Sequence, residues 1–146
     1  MTKRTNKQQS HTILILSEKE RINDLQLAFN KALPFLKIEF YKKPLATKTE
    51  NQKHIESSLP LAAAGLIHSG TMDIDDSITV HQLEKELKNN FGLNAHVFRK
   101  SGNMWLEITM TGDWTLKRQN EHGRELSEPY TIEPLKDLEA PDNSLE

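Results

Sequence analysis

A chain of 146 residues with 36% apolar and 27% charged residues has room for one domain, and is poor enough in apolar residues that part of it should stay outside the core. With no cysteine it has no disulfide framework, thiolate zinc site or cysteine nucleophile, which fits a cytoplasmic protein. A net charge of −2 gives no overall pull towards nucleic acid, and no apolar run reaches the length of a membrane span, so no membrane partner is expected.

Residues 1–11 read as a basic arm through Lys3, Arg4 and Lys7, with no signal-peptide pattern behind them. Ile13-Leu-Ile-Leu16 suits a short buried strand. Ser17-Glu-Lys-Glu20 spells a capping box, and Ile22, Leu25, Phe29 and Ala32 recur at helical spacing until Pro34. Leu36, Ile38 and Phe40 then alternate with Lys37, Glu39 and Tyr41, the pattern of a half-buried strand. Strand, helix and strand in so few residues predict a right-handed βαβ crossover. Residues 42–58 are polar without period and predict a mobile loop, while Leu59 to Gly65 suit one or two helical turns.

Thr71 to Ile74 reads as a third strand, closed by Asp75, Asp76 and Ser77. Thr79 and Gln82 form a second capping box, Ile78 and Leu83 a hydrophobic staple, and Val80, Leu83, Leu87 and Phe91 one apolar helix face ended by Gly92. Leu93 to Arg99 and Met104 to Met110 flank a glycine-containing turn and predict a hairpin. Asp113 is placed to cap a short final helix that runs to about His122 and ends at Gly123. The expected fold is α+β: a two-layer sandwich, ferredoxin-like β-α-β-β-α-β with an extra strand and a short C-terminal helix, with a β-grasp-like arrangement as the alternative. Residues 12–126 form the single domain, and 127–146, with six carboxylates against Lys136, an acidic tail expected to lack fixed structure.

Candidate chemistry is sparse. Asp73, Asp75 and Asp76, with Glu84 at the twelfth position, partly imitate a calcium loop, but Ile78 stands where that loop needs glycine. His68 and His81 are positioned to flank these carboxylates as a mixed nitrogen and oxygen metal site, against which surface histidines are far commoner. No nucleophile elbow or phosphate loop is present, so no catalytic residue and no cofactor are assigned. Around the hairpin, Phe98, Arg99, Lys100 and Trp105 gather aromatics and cations as single-strand binders do, though the same residues make an ordinary cross-strand pair. Trp114, Arg118 and Arg124 on the last helix are the residue types that anchor protein interfaces.

The run Val97-Phe-Arg-Lys-Ser-Gly-Asn-Met-Trp-Leu-Glu107, with Asp113-Trp-Thr-Leu116, Gln119-Asn120 and Gly123-Arg-Glu125, resembles a family of small bacterial α+β proteins. Thr79-Val-His-Gln-Leu-Glu84 adds to the resemblance, which spans roughly Ile13 to Leu126 and implies a bacterial origin but no activity. Three functions follow in order. The first is a non-enzymatic binding or regulatory module contacting a protein partner or a second copy through Arg99, Lys100, Trp105, Trp114, Arg118 and Arg124. The second is a small metal-dependent enzyme at His68, Asp73, Asp75, Asp76 and His81. The third is a single-stranded nucleic-acid binder using residues 98–105.

Overall fold

The computed structural model describes residues 11–42 and 53–128. Along them run β1 (His11–Leu16), α1 (Ile22–Ala32), β2 (Leu36–Tyr41), a 3-10 turn (Leu61–Ala64), β3 (Gly70–Asp75), α2 (Val80–Phe91), β4 (Asn94–Ser101), β5 (Met104–Glu107) and α3 (Leu116–Ser127). The class is α+β, and the order of elements is the expected one. The basic arm, the centre of the 42–58 loop and most of the acidic tail lie outside the described residues. At their margins His11 already belongs to β1, and Ser127 still belongs to α3.

Strand pairing departs from a single ferredoxin-like sheet. β1 pairs antiparallel with β3, while β2, β4 and β5 form a separate antiparallel sheet in that order. The expected βαβ crossover therefore connects two sheets, and the reason lies in α1. Asn30 Nδ2 donates to Leu36 O at 2.9 Å, and Gln26 Nε2 donates to Ile38 O at 2.8 Å. The Ile55 amide donates to Phe40 O at 2.8 Å. Every second carbonyl along the outer edge of β2 is thus taken before another strand can reach it. Ile55 is buried and hydrogen-bonded here, so the described end of the expected mobile loop, residues 53–58, is anchored to β2 at that residue.

Helix ends follow local chemistry, with two corrections. α2 starts as read: Gln82 N donates to Thr79 Oγ1 at 3.1 Å, and Thr79 N to Gln82 Oε1 at 2.7 Å. It stops at Gly92, whose φ of 76° lets its amide reach Lys88 O and the Leu93 amide reach Leu87 O. For α1, Ser17 to Glu20 make a separate turn, and the cap is Arg21, whose amide donates to Asp24 Oδ2 at 3.1 Å. For α3, the cap is Thr115, not Asp113, and Gly123 lies inside the helix. A Cβ on Gly123 would sit 2.9 Å from Phe35 Cβ and 3.1 Å from both Phe35 O and Arg99 Cγ. This glycine allows close approach; it is not a helix terminator.

Both sheets share one core. Leu14 and Leu16 from β1, Met72 and Ile74 from β3, and Ile38 and Val97 from the other sheet meet Leu25, Phe29, Leu83 and Leu87. Burying each such side chain contributes roughly 1.5–3 kcal/mol, so this cluster outweighs any single polar contact.

Candidate functional site

The β2-β4-β5 sheet sorts its residues by face. Cross-strand partners Leu36 and Arg99, Ile38 and Val97, and Arg99 and Leu106 share the inner face. Lys37 and Phe98, Glu39 and His96, Phe98 and Glu107, and Lys100 and Trp105 share the outer one. Arg99 and Trp105, grouped by the sequence reading, therefore lie on opposite sides, because neighbouring strand positions point opposite ways.

On the inner face, α3 covers β4 but leaves the β5 side open. Met104 is 61% exposed, Leu106 42%, Met110 88% and Leu126 44%. Two contacts frame this apolar surface. Gly102 N donates to Ser127 Oγ at 3.1 Å, setting the end of α3 against the hairpin turn, and Gln119 Nε2 donates to Thr111 O at 2.7 Å. Arg99 stands beside Leu106 and gives one guanidinium hydrogen bond, Nη1 to Gln119 Oε1 at 2.7 Å. Gln119 is itself fully buried and donates a second bond to Thr111 Oγ1 at 2.9 Å, so the arginine is held by a fixed relay. Arg99 Nε is buried without a hydrogen-bond partner, and among the described residues no carboxylate pairs with the guanidinium. Burial accordingly pulls its pKa below the ordinary arginine value.

The outer face holds Trp105 and Phe98, each half-buried. Lys37 Nζ lies 5.3 Å from the Phe98 ring centre and 5.4 Å from that of Trp105, and Lys100 Nζ lies 5.9 Å from Trp105. Gln26, Asn30, Lys37, Glu39 and Trp105 line a shallow groove of about 210 Å³ there. Trp114 is elsewhere, its ring under Arg118 at 3.7 Å and edge-on to His122 at 5.6 Å. Arg124 reaches Glu128 at 3.9 Å on the exposed side of α3. Of the six expected binding residues, only Arg99 joins the exposed apolar face.

The expected metal site does not assemble. His68 precedes β3, rests against Phe91 and contacts Ser69 O, whereas Asp75 and Asp76 stand at the far end of that strand. Asp75 Oδ1 takes the Ser77 amide and hydroxyl, both at 2.9 Å, which holds its carboxyl below the usual range. It is His11 that meets Asp73 and Asp75, at 3.1 Å and 3.9 Å. His81 lies against Gly112, where a Cβ would collide with its ring. Among the described residues no group of three or more His, Cys, Asp or Glu is arranged to hold a metal ion.

Sequence reasoning missed a half-buried acid cluster between α2 and β4. Glu84 Oε2 accepts the Val97 amide at 3.0 Å, just past the end of β5, in the place of the next strand's carbonyl. Burial, partly offset by that bond, pushes its carboxyl up to about 7, with Glu107 adding to the rise. His96 Nδ1 lies 3.0 Å from Glu107 and 4.0 Å from Glu84, and burial lowers its pKa against the pull of Glu107. Tyr41 meets His96 edge-on, and burial with its acidic neighbours pushes the phenol up to about 12. His81, Glu84, Lys85 and Lys88 share one helix face over a groove of about 280 Å³. The visible signal was that i, i+3, i+4, i+7 spacing on α2, where only the apolar face was read.

Among the described residues no helix is long and apolar enough to cross a membrane. No family model, curated protein or solved structure matches the chain.

Proposed function

We propose that this chain is a binding module whose docking face is the uncovered inner side of β5 together with the end of α3. One observation carries the reading: Met104 and Leu106 are exposed on the face they share with Arg99, Met110 and Leu126 are exposed on the segments bordering it, and no described carboxylate neutralises the arginine. Scattered surface apolar residues are normal, but a group beside a half-buried cation has the composition of an interface centre. Neither the separated His68 and Asp75 nor the self-paired Trp114 and Arg118 offers a comparable free surface.

The test is site-specific photocrosslinking in host cells, with the reactive side chain placed at Met110 or Leu126. The controls place it at Leu27 and Ile67, which are equally apolar and exposed on other faces. Discrete protein adducts from the first pair alone are expected. Equal adducts from all four positions, or none from the first two, would remove the reading.

A second reading has its own support on the outer face. Phe98 and Trp105 with Lys37 and Lys100 form a stacking surface suited to single-stranded bases. Glu39 and Glu107 on the same face weigh against a polyanion, which ranks this below protein docking. Trp105 fluorescence unchanged by oligothymidine at low salt would eliminate it.

A further inference from the structure

Resting on the docking reading, we infer that the partner supplies an extended apolar segment that adds to the open edge of β5 and places a carboxylate on Arg99.

The edge is available in register. The Ile108 amide donates to Val97 O at 3.0 Å. The antiparallel alternation that follows turns the backbone groups of Met104 and Leu106 towards β4 and those of Trp105 and Glu107 outward. Among the described residues β5 is the last strand in its sheet, and it is only four residues long, so an incoming strand finds two outward residues. Its inward-facing side chains would lie beside Met104 and Leu106, which asks for apolar residues at alternate positions. An added strand runs two spacings from β4, or roughly 10 Å. A glutamate and an arginine reaching over Leu106 span that gap.

Charge complementarity selects the acid. Arg99 cannot shed its proton at any ordinary pH, and its Nε hydrogen is buried without an acceptor. Nε itself is closed to an incoming group, so the carboxylate would meet the half-buried guanidinium through its Nη groups, as a charge-assisted pair. A neutral or basic segment would leave the cation without a counter-charge.

The experiment is a selection of randomised ten-residue peptides displayed on phage against the full chain, repeated against Arg99→Gln. Recovered peptides are then titrated into isotope-labelled protein, following the β5 amides and the Arg99 Nε–H signal. Enrichment of one Asp or Glu among alternating apolar residues is expected. Binding should shift β5 and Arg99 Nε–H and weaken at least tenfold in Arg99→Gln or when the peptide acid becomes an amide. Arg99→Lys separates charge from geometry: restored binding there would show that the Nη groups are not used and overturn the inference.

Peptides that shift β5 without an acid preference would overturn this inference and leave the docking face standing. Peptides that bind only elsewhere would sink both. Two other occupants are also exposed. A dimer in sedimentation that dissociates on Leu106→Lys would assign the edge to a second copy. An Arg99 Nε–H signal that moves when Glu133, Asp137 and Glu139 are neutralised in the full chain would assign it to the chain's own acidic end. Either result overturns the assignment to a partner.

Discussion

β2 and β5 are the two edges of one sheet, and the molecule treats them oppositely. Along β2, two helix amides and one backbone amide occupy the carbonyls of Leu36, Ile38 and Phe40. Along β5, no described element pairs with the outer edge, and the flanking side chains are methionine and leucine. Edge strands invite pairing with other chains, and proteins ordinarily block them. A chain that blocks one edge thoroughly has the means to block the other, so the contrast draws attention to β5.

The largest effect should come from reopening the guarded edge. Gln26→Leu with Asn30→Leu leaves two carbonyls without their donors, at about 1–3 kcal/mol each. Urea denaturation should show a loss of roughly 2–5 kcal/mol, and sedimentation should show new self-association. Full stability without association would mean that β2 never needed guarding.

Next is the wall beside the open edge. Gly123→Val forces α3 away from Phe35 and Arg99, and overpacking of this kind costs about 3 kcal/mol. A thermal melt should show the loss, and the Arg99 Nε–H signal should change with it. An unchanged melt would break the account of Gly123 as a contact glycine.

Glu84 offers a pH test at the point where β5 gives out. Its folded pKa of about 7 lies above the ordinary 4.5, so the folded chain holds the proton more tightly than the unfolded chain. This contribution is present below pH 4.5 and is lost as pH rises through about 7. Glu84→Gln keeps an acceptor for the Val97 amide but cannot ionise. It should match the parent at pH 4 and exceed it at pH 8 by up to about 3 kcal/mol. Parallel stability curves for the two proteins would contradict the raised pKa of Glu84.

The smallest stability effect belongs to the open edge itself. Leu106→Lys touches an exposed position and should change unfolding by no more than about 0.5 kcal/mol. The same variant should abolish the crosslinks from Met110. Strong destabilisation would place Leu106 in the core and close the comparison.

Elements with strong local signals were legible in the sequence. The Thr79 and Gln82 box, the Gly92 stop and the strand at Leu36 to Tyr41 all read correctly, because each depends on residues within a few positions, although Glu39 and Tyr41 are buried where a half-buried strand would expose them. Strand partnering was not legible, since it hinges on Gln26 and Asn30 reaching carbonyls that no periodicity reveals. Gly123 misled for a similar reason: a glycine late in a polar helix looks like a stop until Phe35 is known to lie against it. At the site, Arg99 was found by residue type, but its separation from Trp105 required the true register. Glu84 was noticed only as a failed calcium position, because burial by distant elements raises its pKa.

That Val97 leans on a helix carboxylate has a kinetic consequence. Its amide is held by α2, whereas its carbonyl is held by Ile108. Exchange of this one proton with solvent therefore times the opening of α2, even though the residue belongs to a strand. A central strand position thus becomes a clock for a helix, and the rate at which it runs depends on whether Glu84 is carrying its proton.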